Sequence, residues 1–111
     1  MTYPESKNLF DLPDPMPDVE FVEALVPGRE VRIERIVSMG HTTPEGVWYD
    51  QEQDEWVALV QGEARLEFAE GPMLGLTAGE HVLIPAHKKH RVSWTSSDPP
   101  CVWIAVHGRL K

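Results

Sequence analysis

The stretch GEHVLIPAHKKH, residues 79–90, carries the spacing on which the reading of this chain turns. Gly79 is followed by five residues and Pro85, then by Ala86, His87, two lysines and His90, with Trp94 four positions further on. Residues 81–84 read as a short strand stopped by Pro85, and a second strand is expected over residues 91–95. His87 falls in the turn between them and is expected to be exposed. Side chains alternate along a strand, so His90 is expected to share a face with Val92 and Trp94.

A second spacing lies upstream, where Glu55 precedes Gly62 by six intervening residues. On the strand that begins there, Val57 and Leu59 share the face of Glu55, while Trp56 and Ala58 point the other way. A carboxylate in register with two aliphatics at a strand start is expected at a barrel mouth, facing inward. The preceding turn, WYDQEQDEW at residues 48–56, holds four carboxylates and no histidine. Trp48 and Asp50 share a face across it. One inward cluster of Asp50, Glu55 and His90 is therefore expected, walled by Trp48 and Trp94. Glu52, Gln53 and Asp54 read as solvated hairpin residues.

Outward from these two stretches the chain is a series of short strands. They are expected at residues 20–26, 30–39, 47–49, 56–60, 63–69, 73–76 and 102–107, in addition to those already placed, with Gly and Pro between them. Such spacing signals a sandwich or barrel, and no window carries a helical period. Residues 1–18 hold four of the ten prolines, and those at 13, 15 and 17 forbid helix and central strand. This segment is expected to be extended, either as a loose tail or as an arm that lays Leu9, Phe10 and Leu12 over the domain of residues 19–111.

Length and charge narrow the functional classes. A chain of 111 residues makes one domain with a single core. Its net charge of −8 argues against nucleic acid or an anionic membrane surface as partner. No apolar run approaches a membrane span, and no basic flank leads a long apolar run as in a signal peptide. The single cysteine, Cys101, permits no disulfide within the chain and has no histidine near it in sequence to activate it. A cytoplasmic protein is expected.

Both spacings resemble those of the cupin superfamily. In that family the first motif ends in a glutamate six residues ahead of a turn glycine, as Glu55 stands to Gly62. The second runs from a glycine through five residues to a proline, and on to a histidine, as Gly79, Pro85 and His90 do. The resemblance spans Gly46 to Trp94 and implies an all-β fold, a double-stranded β-helix or jelly roll. The sequence also resembles small single-domain bacterial cupins, which implies a homodimer.

The family pattern also implies a divalent metal held by the glutamate, the second-motif histidine and a His-x-His pair ahead of the glutamate. Here the chain departs from it. Counting back four from Glu55 places Trp48 and Asp50 at the paired positions; counting back three places Tyr49 and Gln51 there. His87 stands where the second motif has glycine, and Trp94 where it has asparagine. With Asp50 facing inward, two carboxylates and one imidazole suit Mn, Fe, Ni or Zn, with open positions for water or substrate. With Asp50 out of phase, two ligands remain, too few to hold a metal tightly.

Other roles are open for the same residues. Glu55 can pair with Arg91 or Lys88 at the rim, or with His90 as a metal-free acid–base couple. Arg35 shares a face with Ile33 and Val37 and can reach the cavity to meet an anionic group, while Arg32 and Glu34 are expected outside. His41 is expected to cap a strand end, His81 to face inward with Leu83 though far along its strand from the motif, and His107 to lie at the rim or surface. Three functional classes follow: a metal-dependent enzyme on a small metabolite, a non-catalytic small-molecule binder, and an interaction module that has lost its ligands.

Overall fold

The computed structural model describes residues 4–110, so residues 1–3 of the N-terminal segment and Lys111 lie outside the described residues. Eight strands follow one another: β1 (Phe21–Pro27), β2 (Val31–Ser38), β3 (Asp54–Gln61), β4 (Glu63–Phe68), β5 (Met73–Thr77), β6 (His81–Ile84), β7 (His90–Thr95) and β8 (Cys101–Gly108). There is no helix among the described residues. The strands form two antiparallel sheets, one of order β1-β2-β8-β3-β6 and one of order β5-β4-β7. The sheets face each other as a jelly roll, the double-stranded β-helix.

The junction of the two sheets explains the glycine after Glu55. Gln61 ends β3 in the larger sheet, and Glu63 begins β4 in the smaller one. Gly62 alone turns the corner, at φ 91°. A Cβ there would lie 2.8 Å from Ser96 Oγ and 3.0 Å from Cys101 Cα, so both conformation and space call for glycine. The dipeptide at 61–62 is thus a sheet-to-sheet corner rather than a hairpin turn.

One end of the interior is packed solid. Leu59, Ala64, Leu66, Leu76 and Cys101 are buried together there with Val57, Ile84, Trp103 and Ala105. The inward row of β8 runs Cys101, Trp103, Ala105, His107, and that of β3 runs Leu59, Val57, Glu55 in the same direction. Both rows pass from apolar to polar toward the same end, which opens a cavity there.

Two sequence expectations fail for reasons of packing. Arg32, Glu34, Ile36 and Ser38, rather than the odd-numbered residues, face inward on β2, because Glu34 and Ile36 line the cavity. Arg35 therefore points outward. It is nevertheless buried, as is Val37. The N-terminal segment lies against this outer face, where Arg35 Nη1 donates to the carbonyls of Leu9 at 3.0 Å and Asp11 at 2.8 Å. Arg35 Nε lies 2.7 Å from Glu23 Oε1. A strand covered on both sides gives no alternation from which its inner face can be read.

Candidate functional site

The cavity at the polar end has a volume of about 250 Å³. Glu20 and Val22, ahead of and within β1, stand to one side with Glu34 and Ile36 of β2; Tyr49 and Gln51 come from the loop before β3. Val57, Leu66, Ile84, Val92 and Trp103 supply an apolar floor and walls. Glu55, His90 and His107 complete it.

Backbone pairing decides which residues of the acidic turn point in. Tyr49 N–H donates to the His90 carbonyl at 2.8 Å, and His90 N–H returns to the Tyr49 carbonyl at 3.1 Å. His87 N–H donates to the Gln51 carbonyl at 2.8 Å. This short antiparallel track sets Tyr49 and Gln51 toward the cavity and leaves Trp48 and Asp50 on the other phase. The count of three residues back from Glu55 thus describes the geometry, and the count of four does not. Trp48 is half-buried outside the lining. Asp50 is exposed and its Oδ1 lies 2.8 Å from His87 Nδ1, so the expected cluster of Asp50, Glu55 and His90 does not form.

Trp94 also leaves the expected face. Leu66 pairs with Val92, but Arg65 pairs with Trp94, so Ser93 is an extra residue in β7. The bulge reverses the alternation beyond it. Trp94 is 41% exposed and lies under the Arg65 guanidinium at 5.5 Å, on the outside. Arg35, the third expected ligand-binding residue, is outside with the N-terminal segment as described above.

Glu55 lies between two imidazoles. Its Oε1 is 3.6 Å from His90 Nε2 and its Oε2 is 3.7 Å from His107 Nε2. Of its other expected partners, Arg91 instead pairs with Glu67 at 2.9 Å. His90 Nδ1 lies 2.8 Å from the Lys88 carbonyl, which only accepts, so Nδ1 carries a proton and Nε2 is turned to Glu55. Burial pulls the His90 pKa down, but Glu55 and the Lys88 carbonyl together outweigh it and hold the pKa above the ordinary histidine value. His107 Nε2 donates to Glu34 Oε1 at 3.0 Å, and Arg32 Nε holds Glu34 Oε2 at 3.0 Å. Burial pushes the Glu20 carboxyl above its usual range, only partly opposed by the Ser38 hydroxyl and His41, and Glu55 adds to the rise.

Sequence reasoning missed four of these residues. His107 was expected at the rim or surface and is 6% exposed inside the cavity. Glu34 was expected outside, and neither Glu20 nor Trp103 was placed in the site. For His107 and Trp103 a signal existed, since odd positions on β8 share the face of Cys101 and Ala105. Asp54 is a further correction. It is buried, accepting from Ala86 N–H at 2.9 Å and Leu110 N–H at 3.0 Å, and so ties the acidic turn to the chain after β6 and after β8. The remaining histidines have local roles. His87 is exposed with φ 63°, which explains why a glycine is at home in that position. His81 faces outward and accepts from Trp56 Nε1–H at 3.3 Å. His41 Nδ1 accepts from Met39 N–H just after β2.

The donor set does not fit a preformed metal centre. His107 Nε2 bears the proton it gives to Glu34, which leaves Glu55 and His90 Nε2 as free donors facing each other. Among the described residues no group of three or more His, Cys, Asp or Glu is placed to hold a metal ion. What the arrangement offers as it stands is a carboxylate and imidazoles of matched reach in a partly apolar chamber, a setting for proton transfer.

Fold and site together define a small jelly-roll protein with one buried, carboxylate- and imidazole-lined chamber. The chain belongs to the cupin family: the cupin domain matches residues 36–107. Among solved structures it is similar to a protein of Ralstonia eutropha JMP134 called a "putative mannose-6-phosphate isomerase". The two share 41% identity with a TM-score of 0.89, over 96% of this chain and 100% of that one. An RmlC-like cupin of Methanocaldococcus jannaschii superposes with a TM-score of 0.73 at 20% identity, over 98% and 93% of the two chains, which speaks for the fold. A stretch of 47 residues is 38% identical to the RCS-specific HTH-type transcriptional activator RclR of Escherichia coli K12, covering 42% of this chain and 16% of that protein.

Proposed function

We propose that the chamber binds a small hydroxy-carbonyl metabolite and moves a proton on it, with Glu55 as base and His90 as acid. The observation that carries this reading is Glu55 set between His90 Nε2 at 3.6 Å and His107 Nε2 at 3.7 Å inside a cavity of about 250 Å³. That volume is at the small end for ligand sites and suits a metabolite of a few carbons.

In this reading Glu55 takes the proton from the carbon beside the carbonyl. His90, whose proton affinity Glu55 raises and whose Nδ1 is held by the Lys88 carbonyl, gives its Nε2 proton to the oxygen as charge develops there. The reverse transfers on the neighbouring carbon complete an isomerisation. His107 and Glu34 hold the far side of Glu55 and orient it. The name of the Ralstonia protein, an isomerase, is in keeping with this class of reaction.

The test is wash-in of solvent deuterium at the carbon beside the carbonyl, followed by NMR over a panel of small aldoses and ketoses. Exchange in the wild type that falls by about 10²–10⁴-fold in Glu55→Gln is the expected result. The cupin fold also admits a divalent ion, so elemental analysis of protein purified without chelator belongs to the same experiment. A stoichiometric metal lost in Glu55→Ala and His90→Ala would replace this reading with a metal-dependent one. Ligand binding without exchange would favour a sensing barrel, the second reading, which the match to a stretch of a transcriptional activator supports.

A further inference from the structure

We infer that the chamber selects an uncharged ligand, a hydroxylated or carbonyl compound bearing no phosphate or carboxylate. This inference rests on the small-molecule reading above and specifies the substrate class of the same site. It separates this chain from the phosphorylated sugar in the name of its Ralstonia relative.

Among the described residues the lining carries three carboxylates, Glu20, Glu34 and Glu55, and no lysine or arginine. A phosphate or carboxylate entering it would meet like charge and find no guanidinium or ammonium to receive it, and the imidazoles of His90 and His107 are already turned to Glu55 and Glu34. The basic residues that could have served are already paired or lie outside the chamber. Arg32 pairs with Glu34, Arg91 with Glu67, and Arg35 with the N-terminal segment on the outer face. Lys88 and Lys89 line a separate surface recess with Ala69, Glu70 and His87.

The carboxylates do not call for a cationic ligand either, because each already has a partner. Glu34 holds Arg32 and His107, Glu55 faces His90 and His107, and Glu20 accepts from the Ser38 hydroxyl at 3.2 Å. The other polar lining groups are the neutral Tyr49, Gln51 and the Trp103 indole. Trp103 is 3% exposed, and its Nε1–H has no hydrogen-bond partner among the described residues. An unpaired N–H on a lining residue is open to an oxygen acceptor brought by the ligand, and the exclusion of anions rests on the carboxylates and not on this group.

The test uses matched pairs: mannose and mannose 6-phosphate, fructose and fructose 6-phosphate, dihydroxyacetone and its phosphate. Binding is read by NMR from the imidazole signals of His90 and His107 and from the indole N–H of Trp103, assigned with Trp103→Phe. The uncharged member of at least one pair is expected to shift these signals, with its phosphate ester at least about tenfold weaker. Gln51→Arg, which places a cation at the chamber wall, is expected to narrow that gap. A phosphate ester that binds the wild type as well as its parent compound, or a gap unchanged in Gln51→Arg, would overturn the inference while leaving a small-molecule site in place. If no member of any pair, and no compound of a neutral polyol and carbonyl library, moves the signals, the small-molecule reading fails and takes the inference with it.

Discussion

His90 gains its character from two neighbours rather than from its place in a motif. The Lys88 carbonyl fixes which nitrogen carries the proton, and Glu55 favours the charged ring although burial disfavours it. A histidine whose folded pKa is raised binds its proton more tightly in the native state. Its stabilisation is full below the unfolded value, about 6.5, and is lost as pH rises through the folded value. Glu20 acts in the same direction: its folded pKa is also raised, so its cost appears as pH climbs above the ordinary carboxylate range. The melting temperature is therefore expected to be higher near pH 6 than near pH 8.5, and His90→Gln is expected to reduce that difference, while Glu20→Gln is expected to lessen the loss of stability above the ordinary carboxylate range. Thermal denaturation across the range checks this; an equal or rising melting temperature on the alkaline side would contradict it. Residue identity alone announced Glu55 and His90 as a pair worth watching. It could not announce Glu34, whose role depends on β2 and β8, far apart in sequence, lying side by side.

At the scale of elements, corners and bulges decide the site. Gly62 sends the chain from one sheet to the other at φ 91°, against Ser96 and Cys101. Gly62→Ala is expected to cost about 2–4 kcal/mol, the sum of a left-handed backbone penalty and an overpacked contact. Chemical denaturation of the variant gives the value, and a loss below about 1 kcal/mol would show that the corner relaxes freely. The extra residue at Ser93 has the opposite legibility. Strict alternation predicted Trp94 inside, and nothing in the letters of residues 90–95 marks a bulge; only pairing with β4 reveals it. The acidic turn shows the same limit. Its phase is set by the backbone hydrogen bonds that Tyr49 exchanges with His90 and that the Gln51 carbonyl accepts from His87, so neither of the two possible counts back from Glu55 could be preferred from the sequence.

The whole molecule is a barrel closed on one side by its own N-terminal segment. Arg35 joins the two through the Leu9 and Asp11 carbonyls, the Glu23 carboxylate and the Phe21 ring 5.8 Å away. Arg35→Ala removes a buried cation that satisfies all of these at once, and it is expected to cost about 2–4 kcal/mol. Limited proteolysis is expected to cut the variant within residues 4–18 well before the wild type. Unchanged stability with an unchanged digestion pattern would mean that the segment is held by other contacts. The same cover hides the outer face of β2, which is why its apolar residues Ile33 and Val37 pointed to the wrong side as the interior.

The sequence by itself determined an all-β sandwich or barrel, because short strand runs and turn residues are local properties written along the chain, and the resemblance of its two spacings to the cupin motifs implied the jelly roll. It also determined that Glu55 and His90 lie near one another, since both belong to those spacings. The tertiary structure decided what surrounds them. Which phase of a loop turns inward, where a bulge reverses a strand and which distant strand supplies the second histidine are set by pairing between segments. That pairing exchanged Asp50, Trp48, Trp94 and Arg35 for Tyr49, Gln51, Glu34, Trp103 and His107, and so gave the chamber its walls.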